Sequence, residues 1–156
     1  MKFSVRPATV KDLEDIALLC RDLCVLEAGS FDPTVNPDWP LSESGRRYLS
    51  NRIESDDACT FVAVSQGKIF GYIIGAVTRE EYKTIPAYGE LVSIFVREQC
   101  RMSGAGRALF NAFAGWCRKR GISRFRTIAS LANKAGMEFY KNMGFREWEY
   151  ILEGDF

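Results

Sequence analysis

The sequence predicts an α/β fold in which a mixed, mostly antiparallel central sheet carries helices on both faces. Three observations support this class. Two early stretches place apolar residues at helical spacing, the middle of the chain holds three segments of strand-like composition, and a glycine-bearing turn joins the third of these to another helical stretch. At 156 residues the chain fits one domain, residues 1–156, that can bury its own core.

The first part of the chain predicts a strand and two helices. Pro7 ends the strand, and Thr9 followed by Asp12 is a capping pair that starts a helix. Three prolines then predict an exposed loop, and Gly45 weakens but does not break the next helical pattern. The predicted elements are a strand at 3–6, a helix from Thr9 to about Gly29, a loop at 31–40 and a helix at 41–55.

The middle of the chain changes to the period of β-strands. The turn Ser65-Gln66-Gly67 separates two β-branched segments and predicts an antiparallel hairpin, in which Gly71 and Gly75 mark bulges. After a polar excursion, a third segment has the apolar content of a buried strand. The predicted strands are 59–64, 68–77 and 90–96.

The last part alternates helices and strands. Gly121 and Gly144 each follow an amphipathic stretch, as glycines that end helices do. The predicted elements are a helix at 104–120, a strand at 124–130, a helix at 133–143 and a final aromatic-rich strand at 145–152.

Composition excludes several kinds of function. The chain has no histidine, so catalytic triads, Cys-His pairs and histidine-containing zinc sites are excluded, and we expect no metal. A formal net charge of +1 gives no field that would attract nucleic acid or an acidic membrane, so neither is an expected partner.

The sequence also predicts a cytoplasmic protein. Its start lacks the apolar segment of a signal peptide, and no run approaches the roughly 20 apolar residues that span a bilayer. The five cysteines are odd in number and scattered in spacing, which favours reduced thiols over disulfides.

The most informative segment is Arg101-Met102-Ser103-Gly104-Ala105-Gly106-Arg107, between a predicted strand and a predicted helix. Free amides at a helix start, the helix dipole and the close approach that glycines allow make such a turn an anion site. Arg101 adds a bidentate donor. An ordinary strand-to-helix turn is the alternative interpretation, and the pattern matches neither a Walker loop nor the dinucleotide fingerprint.

Together with its neighbours, this turn resembles the acetyl-CoA-binding motif of the GNAT N-acetyltransferase superfamily. Three separated motifs carry the resemblance, in the order and spacing of the family, and Met102 departs from the glycine that many members have there. The motifs are Glu90–Val96 with Arg101-x-x-Gly104-x-Gly106 and Arg107-Ala108-Leu109, then Asn133-Lys134-Ala135 with Phe139-Tyr140 and Gly144-Phe145, and Val5–Thr9 with Asp12 and Ile16.

The resemblance implies a GNAT acyl-CoA N-acyltransferase fold, with the sheet splayed between the fourth and fifth strands and acetyl-CoA as cosubstrate. It implies that Ile94, Phe95 and Val96 pair with pantetheine amides through their backbone. The pyrophosphate is expected on Arg101, Met102, Ser103, Gly104, Ala105, Gly106 and Arg107, with Asn133 beside the pantetheine arm.

The implied activity is transfer of an acetyl group to a primary amine by direct attack. Such an amine is mostly protonated near neutral pH and needs a base, and Glu90 lies where several protein-acetylating members have one. Strand alternation places Glu90 on the face of Val92 and Ile94. Tyr140 is the family's expected acid for the departing thiolate. A solvated strand-end carboxylate and a core aromatic are the respective alternatives.

The acceptor stays open between small-molecule amines and protein amines. Aromatic and acidic residues in the unmatched segments suit a cationic amine: Asp32, Asp38, Trp39, Tyr48, Glu80, Glu81, Tyr82 and Tyr88. The resemblance also implies a homodimer. The rival hypotheses are a noncatalytic acyl-CoA sensor or interaction module and another nucleotide-binding α/β protein.

Overall fold

The computed structural model describes residues 2–154, which form a five-stranded sheet with helices on both faces. Short 3₁₀ turns precede or link the main elements. In chain order the elements are β1 Ser4–Pro7, α1 Leu13–Ser30, α2 Glu43–Glu54, β2 Ala58–Ser65, β3 Lys68–Arg79, β4 Ala87–Val96, α3 Ala105–Lys119, β5 Phe125–Arg126 and α4 Lys134–Asn142. The predicted order is confirmed up to α4.

The sheet has the order β1-β2-β3-β4-β5, antiparallel except for the parallel pair β4 and β5. Gln66 and Gly67, with φ of 50° and 75°, make the tight turn of the predicted hairpin. The pairing of β2 with β3 shifts register between Ala63, which lies opposite Gly71, and Val64. The pairing of β3 with β4 shifts register between Ile74 and Gly75. Bulges therefore lie beside both glycines that predicted them.

Two apolar clusters fill the two faces of the sheet. The cluster under α3 includes Leu91, Leu109 and Phe113, and the cluster under α1 and α2 includes Ile16 and Tyr72. A helix on each face is what buries both sides of the central strands. The mixed, mostly antiparallel sheet predicted from sequence is confirmed.

Gly75 and Gly89 let α3 pack closely on the sheet. A Cβ on Gly75 would overlap the Phe113 ring, and one on Gly89 would lie 2.5 Å from Sγ of Cys117. Both contacts would be far shorter than the ordinary van der Waals contact of about 3.5–4.0 Å. Close packing of α3 on the sheet therefore requires glycine at these two positions of β3 and β4.

An ion pair joins the first strand to the first helix. The Arg6 guanidinium donates to both carboxylate oxygens of Asp12, at 2.7 and 2.8 Å, and the Thr9 amide donates to the same carboxylate at 2.8 Å. The Arg6 hydrogen bonds hold the pKa of the buried Asp12 carboxyl well below its usual range. Thr9 and Asp12 thus form the predicted cap, although the first turn is 3₁₀.

At the end of the chain one predicted strand is shorter than expected, and the prediction of another was wrong. Only Phe125–Arg126 of the predicted strand 124–130 pairs, and the segment 145–152 forms no strand. Aromatic composition favours a strand, but a strand also needs a neighbour with free backbone groups, and β5 is too short to supply one. Phe145 instead packs its ring on Phe125 and Tyr140, with centroids 4.9 and 5.3 Å away.

Candidate functional site

The sheet opens between β4 and β5. The two strands pair only at Gly89 with Phe125 and Glu90 with Arg126. One residue later the Thr127 hydroxyl donates to the Leu91 carbonyl at 3.0 Å, and beyond this bond β5 has ended while β4 continues to Val96. The β5-facing edge of β4 is thus left without a strand neighbour among residues 2–154, as the resemblance implied.

A bulge at Val92 coincides with the opening. Gly75 pairs with Leu91 and Ile74 pairs with Ser93, so Val92 has no partner on β3. The extra residue changes which side chains share a face: Leu91 and Ile94 pack under α3, whereas Val92 packs under α1 and α2. The predicted common face of Val92 and Ile94 was therefore wrong, because regular alternation does not continue through a bulge.

The turn after β4 presents free amides at the start of α3. Met102 and Gly104 have φ of 59° and 87°, so the chain turns through two left-handed residues before the helix. Among residues 2–154 the amides of Gly104, Gly106 and Arg107 have no hydrogen-bond acceptor. Such amides at a helix N-terminus favour an anion. The turn's geometry fits a bound diphosphate.

The two glycines of this turn serve different purposes. At Gly104 the positive φ itself favours glycine, and a Cβ there would point into open space. A Cβ on Gly106 would lie 3.1 Å from Cε2 of Phe139, so this glycine allows α4 to approach α3. The φ of 59° at Met102 strains a residue with a side chain, which is the physical reason that glycine would suit this position.

Two predicted cofactor contacts have partners within the protein. The Nε of Arg101 donates to the Val96 carbonyl at 3.1 Å, and its guanidinium lies 5.8 Å from the Phe95 ring centroid. Asn133 caps α4, because its Oδ1 accepts the Gly136 amide at 2.9 Å. Arg101 thus lies over the end of β4, and the side-chain nitrogen of Asn133 makes no hydrogen bond within residues 2–154.

A cavity of about 390 Å³ lies between β4 and the helices α1 and α2. Val92 and Ser93 form part of its wall at the bulge, and Cys24, Glu27 and Tyr48 face it from the helices. The Ser93 hydroxyl donates to the buried Tyr72 hydroxyl at 3.3 Å. The cavity therefore adjoins the open edge of β4 and offers polar groups beside apolar walls.

Glu90 lies at the last residue pair that joins β4 to β5, and Tyr140 on α4 lies beside Thr127, just past that pair. Oε2 of Glu90 accepts the Thr78 hydroxyl at 2.7 Å, and no cationic side chain in residues 2–154 pairs with Glu90. Tyr140 packs between Phe139 and Phe145. Burial raises the pKa of the Tyr140 phenol, and the Glu27 charge adds to this while the Thr127 hydroxyl opposes it.

Only two of the predicted acceptor residues line the cavity. Trp39 and Tyr48 line the cavity, with ring centroids 5.5 Å apart. Asp38 pairs with Arg21 at 2.8 Å. The remaining candidates are engaged elsewhere or exposed: Glu80 pairs with Lys83 and Arg126, Asp32 accepts from Thr34, Tyr88 stacks on Arg126, and Glu81 and Tyr82 are exposed.

Glu27 is the cavity residue that sequence reasoning missed. It lies seven residues after Cys20, two helical turns along α1, and continues the stripe of Cys20, Leu23 and Cys24. The sequence did contain a signal for it, because a single acidic residue on an otherwise apolar helix stripe indicates a polar site in the surface that the stripe covers.

Four other features of residues 2–154 bear on function. A groove of about 510 Å³ lies at the opposite, β1 edge of the sheet, near Phe3 and Val64, away from the opening. Within residues 2–154 no group of three or more His, Cys, Asp or Glu side chains is placed to hold a metal ion. In the same part of the chain, no helix combines the length and apolarity needed to cross a bilayer. All five cysteines are free thiols.

Comparison with known proteins identifies the family. The model of the Acetyltransferase (GNAT) family matches residues 24–145. The chain therefore belongs to the GNAT acetyltransferase family, whose cosubstrate is acetyl-CoA. The resemblance predicted from the three motifs is confirmed.

Individual relatives agree with this assignment. The chain is 26% identical over 152 residues to an uncharacterized N-acetyltransferase of Methanocaldococcus jannaschii, covering 96% of this chain and 63% of that protein. It is 28% identical over 124 residues to a mycothiol acetyltransferase of Thermobispora bispora, covering 79% and 41%. The chain thus spans less than two thirds of the length of either curated relative.

Solved structures share the fold. A predicted acetyltransferase of Clostridium acetobutylicum, solved with acetyl-CoA, superposes with a TM-score of 0.79 at 18% identity and covers 99% of this chain and 96% of that one. At this identity the likeness concerns the fold, and it confirms the GNAT architecture with its splayed sheet.

Proposed function

We propose that this protein is an N-acetyltransferase that transfers the acetyl group of acetyl-CoA to a primary amine by direct attack. The observation that carries the proposal is the convergence of three features along β4. The open edge at 92–96 adjoins the cavity through Ser93, and the strand leads into the turn whose free amides start α3. A donor and an acceptor brought to this strand would meet at the opening.

On this proposal the turn at 101–107 binds the diphosphate, and the backbone of Ile94, Phe95 and Val96 pairs with the pantetheine amides. The amide nitrogen of Asn133 contacts the pantetheine arm. Free helix-start amides and an unpaired strand edge are the backbone groups that such a ligand requires. These residues position the thioester at the mouth of the cavity.

The reaction then needs one proton removed and one proton supplied. The amine nitrogen attacks the thioester carbon, the new C–N bond forms, and the C–S bond breaks with its electrons on sulfur. Glu90 accepts the amine proton, directly or through water, and Tyr140 donates a proton to the thiolate. A phenol carries its proton at neutral pH at the ordinary pKa of about 10, and burial raises the pKa of Tyr140 further, so the proton is available although the phenol is a weaker acid than in water.

Release of CoA from acetyl-CoA across a panel of primary amines tests the function. Tyr140→Phe should lower kcat by about 10²–10⁴-fold and leave acetyl-CoA binding unchanged, because a general acid contributes about that much. Tyr82→Phe makes the same change at a position that is 82% exposed and should behave as wild type. Glu90→Gln should also lower kcat.

The outcomes separate the hypotheses. Acetyl-CoA binding without turnover on any amine would support the noncatalytic sensor instead. Wild-type kcat in Tyr140→Phe would remove that residue from the reaction while leaving the transferase proposal standing. Cytoplasmic location, a single domain and homodimerisation stay predictions from the sequence.

A further inference from the structure

Glu27 is a carboxylate without a partner. In residues 2–154 no cationic side chain lies within ion-pairing distance of it and no donor hydrogen-bonds to its side chain. Two other acids on α1 are paired, since Glu14 binds Arg46 through two hydrogen bonds at 2.8 and 2.9 Å and Asp22 lies 3.8 Å from Arg97, and Asp15 is exposed to water. Glu27 is thus a partly buried acid of this helix that has neither an ion-pair nor a hydrogen-bond partner within residues 2–154.

The apolar surroundings of Glu27 disfavour its charged form when no partner is present. Glu27 is half-buried on the cavity wall, where Leu23, Cys24, Trp39 and Tyr48 provide mostly apolar and aromatic surface. Burial, with a smaller contribution from the Asp32 charge, raises the pKa of its carboxyl. A partly desolvated carboxylate gains more from an incoming cation than a solvated one, because water no longer competes as strongly.

The arginine nearest the aromatic wall of the cavity does not neutralise Glu27. Arg52 places its guanidinium 4.9 Å from the Tyr48 ring centroid, but it stacks on this ring and makes no ion pair with Glu27. Trp39 packs against Tyr48 and is 40% exposed. The cavity therefore combines an aromatic wall with one unmatched negative charge, which is complementary to a small organic cation.

The position of Glu27 relates it to the reacting groups. The cavity that Glu27 lines reaches Ser93 at the bulge of β4, and its charge adds to the raised pKa of the Tyr140 phenol. The attacking amine must lose its proton, and the base proposed for that step is Glu90 on β4. A carboxylate that keeps its negative charge, as Glu27 would, favours a cation beside it. The group that pairs with Glu27 throughout the reaction is therefore a second one that does not react.

We propose that Glu27 determines acceptor specificity by binding a second cationic group of a small amine, so that the preferred acceptors are compact diamines or amines of similar charge. The inference rests on the proposed transferase function. A volume of about 390 Å³ lies at the small end of ligand cavities, which span about 300–1,000 Å³, and it suits a small molecule.

Paired substrates of equal length test this role. The ratio of kcat/KM for 1,4-diaminobutane to that for 1-aminobutane should be about tenfold or more in wild type, since a charge-assisted hydrogen bond is at stake. Glu27→Gln should bring the ratio close to one, mainly by raising KM for the diamine. Asp15→Asn, an exposed charge loss on the same helix, should leave the ratio unchanged.

Binding measurements keep the test independent of turnover. Calorimetric titration of each amine into protein saturated with CoA should show the same preference and the same loss in Glu27→Gln. Thermal unfolding should find this variant at least as stable as wild type, because an unpaired charge has been removed from a partly buried site. Absence of a diamine preference in wild type, or its persistence in Glu27→Gln, would overturn the inference. Turnover of monoamines alone would preserve the transferase proposal.

Discussion

Gly104 offers the sharpest test of the anion site, because its conformation can be perturbed separately from its surroundings. At φ of 87° and ψ of −2°, a residue with a Cβ costs about 1–2 kcal/mol, whereas the added methyl group would meet nothing within 4 Å. Gly104→Ala should therefore lower Tm by roughly 2–8 °C through strain alone, at about 2–4 °C for each kcal/mol in a domain of this size.

The same strain should impair acetyl-CoA binding. Relief of the strained φ would rotate the free amides at the start of α3 away from their common direction, and loss of one charge-assisted hydrogen bond raises KM about tenfold. Gly121→Ala is the matched control: Gly121 has φ of 70°, equally open space around a Cβ, and a position at the other end of α3.

Both variants should show similar losses in Tm, but only Gly104→Ala should raise KM for acetyl-CoA. Steady-state kinetics with varied acetyl-CoA and a thermal scan of each variant supply the two readouts. An unchanged KM in Gly104→Ala, or an equal rise in Gly121→Ala, would refute the reasoning that this turn binds the diphosphate.

Two further predictions concern stability. Gly75→Ala should cost about 1–3 kcal/mol because its Cβ would overlap Phe113, while Gly115→Ala, in open space on α3, should gain about 0.5–1 kcal/mol; urea unfolding measures both, and equal effects would contradict the packing argument. Asp12→Asn should cost about 1–2 kcal/mol, a value reduced because Arg6 is partly exposed. Since the folded pKa of Asp12 is depressed, its contribution is complete above about pH 4 and is lost as pH falls below that; equal acid sensitivity of wild type and variant would contradict it.

Local rules explain which elements were predictable. Helix α3 was predicted within a residue of its ends, because Gly104 and Gly121 each mark a left-handed turn and the apolar stripe between them is regular. The hairpin followed from Ser65-Gln66-Gly67 for a similar reason. In each case the information lies within a few residues along the chain.

Long-range pairing explains what was missed. Whether residues 145–152 form a strand depends on a free edge elsewhere in the sheet, and nothing in that segment reports how short β5 is. The anion turn was recognisable as a contiguous motif, whereas Glu27 gains its significance only when α1 packs over β4. The donor side of the site was therefore more predictable than the acceptor side.

The bulge at Val92 connects these two sides. A regular strand would place Val92 and Ile94 on one face, but the extra residue directs Val92 and Ser93 to the cavity and Ile94 to the cluster under α3. It does so at the point where β5 ends and the edge of β4 becomes free. Because one strand both lines the cavity and presents the open edge, an acceptor and a thioester bound as proposed would be separated by only a few residues of rigid backbone. On the proposed mechanism β4 sets the geometry for direct transfer, and the helices α1 and α2 select which amine enters.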